Sequence, residues 1–368
     1  MSMLTPRIYV PLLSTKRGEL SALEDLDSQA NSGIVPLFVV HAVDWDFDKD
    51  EPRKTLDEHV KKTLQTLLAK WRGSAAFVDT QNLSDEPLVD GRHPLQWIAE
   101  EMRDAEREGT PVTSLDRPAA YQRTVQGLVA SGADLCIRLA PVDWAQATDS
   151  SSNLFSLIAL VGATPARTHL VFDAGSSVSV TSAAFLEVTL KELEVPGDWA
   201  SVSVAGSSMP ASMPSGDGLH RVERSEWSQY KDLVAASLPR TPSFSDYGVQ
   251  SPDARNDLNP RLVSPSNNLR YLVEDYWYIP KAGQFKKGGS APLVSMLRLL
   301  TARPEYAIGY SACEIWIDQV IASPEGSSAG NAETWRRYGT GRHITRSVEL
   351  LSSLHGPSTS PAPGLATP

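Results

Sequence analysis

Cysteine is scarce in this chain of 368 residues, which contains only Cys136 and Cys313. Two cysteines cannot build a disulfide framework or a cysteine-rich metal site. A chain without a disulfide framework is typical of a reducing compartment, so we expect a cytoplasmic protein. The N-terminus also lacks a cationic region followed by an apolar core, and we therefore expect no signal peptide.

Long hydrophobic runs and an excess of basic charge are also missing. The longest apolar segments, such as Gly33–Val40, are far shorter than the roughly 20 residues of a transmembrane helix, so no membrane partner is expected. The chain has 34 lysines and arginines against 44 aspartates and glutamates, which gives a net charge of −10. A general nucleic-acid surface is therefore not expected, although a local basic patch is compatible with this balance.

The short motifs that most directly identify an enzyme class are absent. The sequence has no Gly-x-x-x-x-Gly-Lys-Ser/Thr phosphate loop, no Gly-x-Ser-x-Gly nucleophile elbow and no His-Glu-x-x-His metal pair. Its seven histidines do not cluster at metal-ligand spacing. We therefore predict no metal site, and the cofactor is unknown from the sequence.

The chain does contain a regular alternation of strand-like and helix-like segments. Eight short β-rich runs are predicted as strands: Arg7–Leu13, Ile34–Val40, Ala75–Asp79, Pro111–Leu115, Asp134–Leu139, His169–Asp173, Ser201–Ala205 and Ser243–Gly248. Helical patterns such as Lys54–Trp71 lie between them. Such alternation indicates parallel strands joined by right-handed crossovers. An open doubly wound sheet is possible, but eight strands over this length favour a closed (β/α)8 TIM barrel.

The pattern changes after the eighth predicted strand, because residues 251–267 are rich in proline, asparagine and aspartate. An extended segment and three helical stretches follow, at Arg270–Ile279, Ala291–Thr301, Ser311–Ala322 and Ala332–Leu354. We predict a barrel over residues 1–250 and a C-terminal extension packed on it over residues 251–354. Residues 355–368, rich in proline, serine, threonine and glycine, are predicted to be a disordered tail.

Polar residues stand where the predicted strands end, and in a parallel barrel these ends meet at one mouth. The predicted catalytic residues are Lys16, Glu19, Asp79 and Asp173. The predicted ligand-binding residues are Arg138, Ser207, Ser208, Asp246, Tyr247, Arg342 and His343. Carboxylates suit proton transfer, whereas cations and hydroxyls suit an anionic ligand. We expect these residues to converge at one mouth, with Arg342 or His343 closing it from the last predicted helix.

Each candidate also has a structural interpretation. Arg138 lies between apolar neighbours, and its role is then only to pair with Asp79 or Asp173 inside the barrel. Glu19 is then a helix N-terminal charge that matches the helix dipole. The turn Gly206-Ser207-Ser208 follows the seventh strand, where barrels often bind phosphate, but an ordinary turn has the same composition. The arginine-rich segment 335–343 is either a cationic lid or a docking turn.

A series of short motifs runs in order along most of the chain. They are Tyr9-Val-Pro-Leu-Leu with Lys16 and Gly18-Glu19, Ile34-Val-Pro-Leu with Trp45-Asp46-Phe47, Ile137-Arg138-Leu139, Phe172-Asp173, Ala205-Gly206-Ser207-Ser208, Arg224-Ser225-Glu226-Trp227, Ser245-Asp246-Tyr247-Gly248, Arg270-Tyr271, and Trp335-Arg336 with His343-Ile344. In this order they resemble the Beta protein family of tailed bacteriophage and bacterial genomes. The order of the motifs carries the resemblance more than any single motif does.

The resemblance implies a barrel-like fold and a setting in phage, mobile-element or defence-related gene neighbourhoods, but it implies no established activity. This sequence departs from the family pattern at one position. The family usually has a carboxylate just after the second strand's Pro-Leu, where this chain has Phe38-Val39. If that carboxylate is catalytic in the family, this member is altered.

Two hypotheses of different class follow. In the first, the chain is an enzyme that acts on a small anionic substrate, such as a nucleotide or another phosphorylated metabolite. A pyridoxal-phosphate enzyme is a sub-case, because a lysine after the first strand can form a Schiff base, although Lys16 lies in a loop beside Arg17. In the second, the chain is a non-enzymatic ligand sensor or a protein-interaction component of an anti-phage or mobile-element system. An enzyme needs an acid or base beside the anion site, whereas a sensor needs only the cations and hydroxyls.

Overall fold

Eight parallel strands form a closed barrel in the computed structural model, which describes residues 4–195, 197–254 and 265–356. The strands are Val10–Ser14 (β1), Leu37–Val39 (β2), Ala75–Asp79 (β3), Glu108–Thr113 (β4), Leu135–Leu139 (β5), Thr168–Asp173 (β6), Ser201–Gly206 (β7) and Ser243–Asp246 (β8). β1 pairs with β2 on one side and with β8 on the other, which closes the barrel. The predicted (β/α)8 TIM-barrel fold is therefore confirmed.

The barrel interior is filled by alternate side chains of the strands, as the period of two requires. One apolar cluster contains residues from seven different strands, including Val10, Phe77 and Val171. The intervening residues, such as Phe38 and Phe172, pack outwards with the helices in the largest core cluster. Both faces of each strand are thus covered, which explains why several strands read as continuous apolar runs.

Helices surround the barrel and extend beyond it. The α-helices are Arg17–Glu24, Ser28–Ser32, Leu56–Lys70, Pro94–Asp104, Ala119–Ala130, Asn153–Val161, Val180–Lys191, Ser225–Ala235, Phe285–Gly288, Pro292–Thr301, Ala312–Ala322 and Ala332–His355, and the 3-10 helices are Pro141–Thr148 and Pro165–Arg167. Capping residues in the sequence determine where several of these helices begin. Thr55 and Glu58 form a reciprocal capping box, and the Asn331 side chain caps the last helix.

Two small sheets lie outside the barrel. The long strand Tyr276–Gln284 pairs antiparallel with Gly218–Glu223, Ser266–Asn268 and Tyr271–Leu272. The second sheet is a hairpin of Trp45–Asp46 and Glu51–Pro52 in the loop after β2. The sequence pattern over residues 222–238 predicts one helix, but residues 222 and 223 belong to the strand Gly218–Glu223, which pairs with the C-terminal segment, and the helix begins at Ser225.

The last helix, Ala332–His355, occupies the place of the eighth helix of the barrel. It packs on Arg17–Glu24, and its residues Ile344, Val348 and Leu351 belong to the same core cluster as the barrel helices. The segment between β8 and this helix builds its own apolar cluster around Leu293, Leu297 and Ile317. The division at residue 250 stays a prediction, and residues 357–368 of the predicted tail lie outside the described residues.

Candidate ligand site at the barrel mouth

Arg138 lies at the end of β5, at the centre of a buried ion-pair network. Its Nε donates to Asp173 Oδ2 at 2.7 Å, and its Nη1 donates to Asp79 Oδ2 at 3.1 Å. Its Nη2 donates to the Tyr247 hydroxyl at 2.7 Å. Burial alone would lower the pKa of Arg138, but the neighbouring carboxylates, Asp173 first, hold it well above the usual value.

Every carboxylate oxygen of the two aspartates in this network accepts at least one hydrogen bond. Asp79 Oδ1 accepts from Arg117 Nη2 and from the Gln81 amide, both at 2.9 Å. Asp173 Oδ1 accepts from the Gly175 amide at 2.8 Å, and its Oδ2 also accepts from Tyr247 at 2.6 Å. Burial and Asp173 raise the pKa of Tyr247, so its hydroxyl stays neutral. We call Arg138, Asp79, Asp173, Arg117 and Tyr247 the paired half of the mouth, because two cations balance two carboxylates.

Glu19 stands at the same end of the barrel, after β1, and is only 1% exposed. Its Oε2 accepts from the Ser14 amide at 2.6 Å. Its Oε1 lies 3.6 Å from Arg336 Nη1 and has no hydrogen-bond partner within the described residues. Burial raises the pKa of Glu19, although Arg336 and the Ser14 amide oppose that shift. Glu19 is therefore a buried carboxyl whose second oxygen faces Arg336 and accepts no hydrogen bond within the described residues.

Lys16 and Arg336 lie close enough to Glu19 to act on its pKa, and Arg270 lies close to Arg336. Burial, together with Arg336, lowers the pKa of Lys16, whereas Glu19 and Asp44 act in the opposite direction. Burial and Arg336 also lower the pKa of Arg270, to about 10. We call Lys16, Glu19, Arg270 and Arg336 the cationic half of the mouth. Arg336 contributes to the lowered pKa values of Lys16 and Arg270, whereas carboxylates balance the charge of Arg138.

Ser207 connects the two halves. Its backbone amide donates to Gly175 O at 2.8 Å, beside Asp173, and its hydroxyl donates to Gln250 O at 3.2 Å. With the Gln250 amide oriented for hydrogen bonding, its side-chain oxygen accepts from Arg336 Nε at 2.7 Å. Lys16, Asp173 and Ser207 thus lie at one end of the barrel. The Ser207 hydroxyl is engaged in the hydrogen bond to Gln250 O, which connects two loops.

Asp246 and His343 differ from the expectation that they face this mouth. Asp246 Oδ2 accepts from Arg224 Nη2 at 3.0 Å and lies 2.8 Å from His343 Nε2, while Tyr9 donates to Oδ1. The reason is strand alternation: Tyr247 points into the barrel, so Asp246 points outwards to the last helix. Burial opposes ionisation of Asp246, but His343 and Arg224 outweigh it and lower its pKa. His343 also stacks on Trp277 at 6.0 Å.

Ser208 and Arg342 likewise hold structure together away from the mouth. The Ser208 hydroxyl donates to Glu226 Oε2 at 2.6 Å and accepts from the Ser225 amide at 3.2 Å, where a helix begins. Arg342 pairs with Glu314 at 2.7 Å, and its guanidinium lies 3.7 Å from the centre of the Tyr271 ring. These contacts tie the C-terminal segment together and leave neither side chain beside Glu19.

Arg336 is the residue of the last helix that lies at Glu19, and it is not among the predicted site residues. It precedes His343 by seven residues, so the two lie on the same helical face two turns apart. The Trp335-Arg336 motif marked this part of the helix as a candidate. Which of its arginines lies beside Glu19 depends on how the helix crosses the barrel, which the sequence pattern does not determine. Gln250 and Arg117 were missed for a similar reason, since both lie in loops.

Two further findings concern metal binding and membrane crossing by the described residues. Within residues 4–195, 197–254 and 265–356, no group of three or more His, Cys, Asp and Glu side chains could hold a metal ion. No helix in these same ranges combines the length and the apolar character that a bilayer crossing requires.

Comparisons with known proteins bear on the family and on the fold. A family model described as Beta protein matches residues 9–349. The search of the curated proteins found no match. Among solved structures, the carboxyl transferase domain of Rhizobium etli pyruvate carboxylase, determined with pyruvate and biocytin, is similar at 10% identity and a TM-score of 0.33. The similarity covers 65% of this chain and 45% of that chain.

A second similar structure is a GH128 endo-β-1,3-glucanase from Amycolatopsis mediterranei, a point mutant in complex with laminarihexaose. It shares 14% identity at a TM-score of 0.28, over 65% of this chain and 87% of the glucanase chain. Similarities this weak carry no information about the site, and the strand order itself defines the barrel.

Proposed function

The chain belongs to the Beta protein family, and we propose that the cationic half of its barrel mouth binds a small anionic substrate and exchanges a proton with it. The substrate class is a phosphate- or nucleotide-like metabolite. In this proposal Lys16 and Arg336 bind the anion, and Glu19 is the acid or base.

The observation that carries this proposal is the environment of Glu19. A buried carboxyl with a raised pKa, one unoccupied oxygen and a guanidinium 3.6 Å away has the properties of a general acid. The protonated form can donate to a substrate oxygen, and Arg336 then stabilises the carboxylate that remains. Asp79 and Asp173 are less suited to this step, because each of their oxygens already accepts a hydrogen bond.

The binding half of the proposal follows from charge. Lys16 and Arg270 have lowered pKa values, in which burial is the largest cause and Arg336 contributes. An anion between these cations replaces repulsion with charge-assisted hydrogen bonds, the strong class of such bonds. The paired half gains nothing comparable, because an anion there has to compete with Asp79 and Asp173.

A non-enzymatic ligand sensor, or an interaction component of an anti-phage or mobile-element system, is the second candidate. It is favoured by the hydrogen bonds that every carboxylate oxygen of Asp79 and Asp173 already accepts, and by Phe38-Val39 at the position where the family usually has a carboxylate. Such a protein would use the same cations but would convert nothing.

Binding is tested by isothermal titration calorimetry with pyrophosphate, and the native ligand by mass spectrometry of molecules that co-purify with the protein. We expect Lys16→Ala and Arg336→Ala to weaken pyrophosphate binding about 10- to 100-fold each, the loss of one charge-assisted hydrogen bond. Arg17→Ala is the matched control, since Arg17 adjoins Lys16 but its side chain is 80% exposed. Unchanged binding in both Lys16→Ala and Arg336→Ala would contradict the proposal.

Turnover separates the two candidates. Phosphorus NMR of the protein incubated with a panel of nucleoside and sugar phosphates should show conversion by the wild type. Glu19→Gln should retain pyrophosphate binding but lose that conversion. Binding without conversion in the wild type would favour the sensor.

A further inference from the structure

One of the nine tryptophans of this chain differs from all the others in its exposure. Eight are at most 8% exposed and belong to the interior, whereas Trp45 is 42% exposed. Phe47, two residues later, is 38% exposed. Trp45 begins the short strand Trp45–Asp46, and Phe47 is the first residue of the turn that follows it. We call this pair the aromatic face.

The aromatic face has no counterpart elsewhere in the described part of the chain. Neither ring belongs to any of the apolar clusters, and neither takes part in a ring–ring contact there. The aromatic face lies on a two-stranded hairpin, a unit that gains little stability by itself in water. Packing in the apolar clusters of the described residues therefore does not explain why this hairpin carries two large aromatic rings.

Hydrogen bonds connect the base of this hairpin to the barrel mouth. The Arg53 amide donates to Asp44 O at 2.8 Å and closes the hairpin. His41, three residues before Asp44, lies 2.7 Å from Thr15 Oγ1 through its Nδ1. Thr15 directly precedes Lys16, and Asp44 is close enough to Lys16 to act on its pKa. The hairpin that carries the aromatic face therefore begins beside the cationic half of the mouth.

We propose that the aromatic face stacks on a planar ring of the ligand whose anionic group binds at Lys16 and Arg336. This inference rests on the proposed function and narrows its substrate class to nucleotide-like compounds. Every nucleobase has a π-face that can stack on tryptophan or phenylalanine, so such a surface recognises a base without reading its identity.

The charges of the hairpin agree with an uncharged ring at this position. Residues 44–54 include five acidic side chains and three basic ones. A second phosphate on the hairpin would meet this acidic excess, whereas the base of a nucleotide carries no charge. The phosphate and the base thus have separate, chemically suited places on the rim.

The test compares three probes on the full chain: inorganic phosphate, ribose 5-phosphate and adenosine 5′-monophosphate. Calorimetry should show that the nucleotide binds about 5- to 100-fold more tightly than ribose 5-phosphate, the range that one stacked base confers. Trp45→Ala should reduce nucleotide affinity to that of ribose 5-phosphate and leave ribose 5-phosphate binding unchanged. Trp45→Phe should retain most of the preference.

Fluorescence gives an independent readout, because Trp45 alone among the nine tryptophans is accessible to an aqueous quencher. Nucleotide binding should protect this emission from acrylamide, and ribose 5-phosphate should not. Phe185→Ala is the control, since Phe185 is 41% exposed on a helix away from the hairpin. Equal affinity for all three probes, or full nucleotide affinity in Trp45→Ala, would overturn this inference and leave the proposed function standing. Absence of binding by every probe would overturn both.

Discussion

The two halves of the barrel mouth contain similar side chains in opposite electrostatic states. In the paired half, two carboxylates hold the pKa of Arg138 far above its usual value. In the cationic half, burial and a neighbouring guanidinium depress the pKa values of Lys16 and Arg270. The difference teaches that an arginine at a barrel mouth is a ligand-binding candidate where other cations lie close to it, as Lys16 and Arg270 lie close to Arg336. The same residue type with two carboxylate partners is part of the scaffold.

The largest effect that separates the halves concerns stability. Arg138→Met leaves Asp173 without its cation and Asp79 with only Arg117, so we expect a loss of about 3 to 5 kcal/mol in the free energy of unfolding. Urea denaturation followed by circular dichroism measures this. Arg123→Met on an exposed helical position is the matched control and should change stability by less than about 0.5 kcal/mol. Equal results for the two variants would mean that the paired half is not a scaffold.

The corresponding substitution in the cationic half, Arg336→Met, should affect ligand binding more than it affects stability. Arg336→Met removes one of several mutually repelling cations, and this relief offsets its contact with Glu19 at 3.6 Å. We expect less than about 1 kcal/mol of lost stability, together with the loss of pyrophosphate binding. A large loss of stability with retained binding would assign Arg336 to the scaffold.

A similarly small loss of stability is expected where the last helix packs on the helix Arg17–Glu24, which contains Gly18. A Cβ at Gly18 would lie 3.0 Å from both Arg336 Cβ and Glu333 O, so one of the two segments has to shift. Gly18→Ala should therefore cost about 1 kcal/mol of stability and weaken pyrophosphate binding by moving Arg336. Gly127→Ala is a suitable control, because nothing lies within 4 Å of the added atom. Undiminished binding in Gly18→Ala would show that the position of Arg336 is unimportant.

The pH dependence gives the finest distinction. The pKa of Glu19 is raised in the folded state, so its contribution to stability is present below its unfolded pKa and is lost as pH rises through the folded value. The wild type should thus become progressively less stable than Glu19→Gln as pH rises through that window. Denaturation curves at a series of pH values measure the difference, and a difference that does not vary with pH would contradict the assignment of Glu19 as a perturbed acid.

Lys16 should respond in the opposite pH range. Its pKa is lowered in the folded protein, and only its charged form attracts an anion. Pyrophosphate affinity should therefore fall as pH rises through this lowered value, and Lys16→Arg, which stays charged, should abolish that fall. Parallel decreases in both proteins would exclude Lys16 as the titrating group.

Much of the fold could be predicted because strand and helix periodicity is a local property of the sequence. The barrel was predicted from eight apolar runs separated by helices. The structure brings Asp79, Arg138 and Asp173 together, because the side chains of all three point into the barrel at the ends of their strands. Asp246 shows the limit. It directly precedes Tyr247, and because neighbouring side chains of a strand point to opposite faces, Tyr247 points into the barrel and Asp246 towards the last helix.

The long last helix shows a second limit. Its sequence has four arginines at positions 336, 337, 342 and 346, and periodicity alone cannot say where the helix crosses the mouth. The structure places Arg336 at Glu19, Arg337 at Asp25 and Arg342 at Glu314. Such long-range partners depend on the packing of an inserted segment between β8 and this helix, which local patterns do not encode.

The central claim is that the anion site lies in the cationic half of the mouth, and anomalous X-ray diffraction tests it most directly. Tungstate is a phosphate analogue with a strong anomalous signal that locates it unambiguously in a soaked crystal. We predict a peak in contact with Lys16 and Arg336 that is absent from Arg336→Ala crystals. A peak at Arg138 and Arg117 instead, or no peak at the mouth at a concentration that saturates binding in solution, would contradict the account.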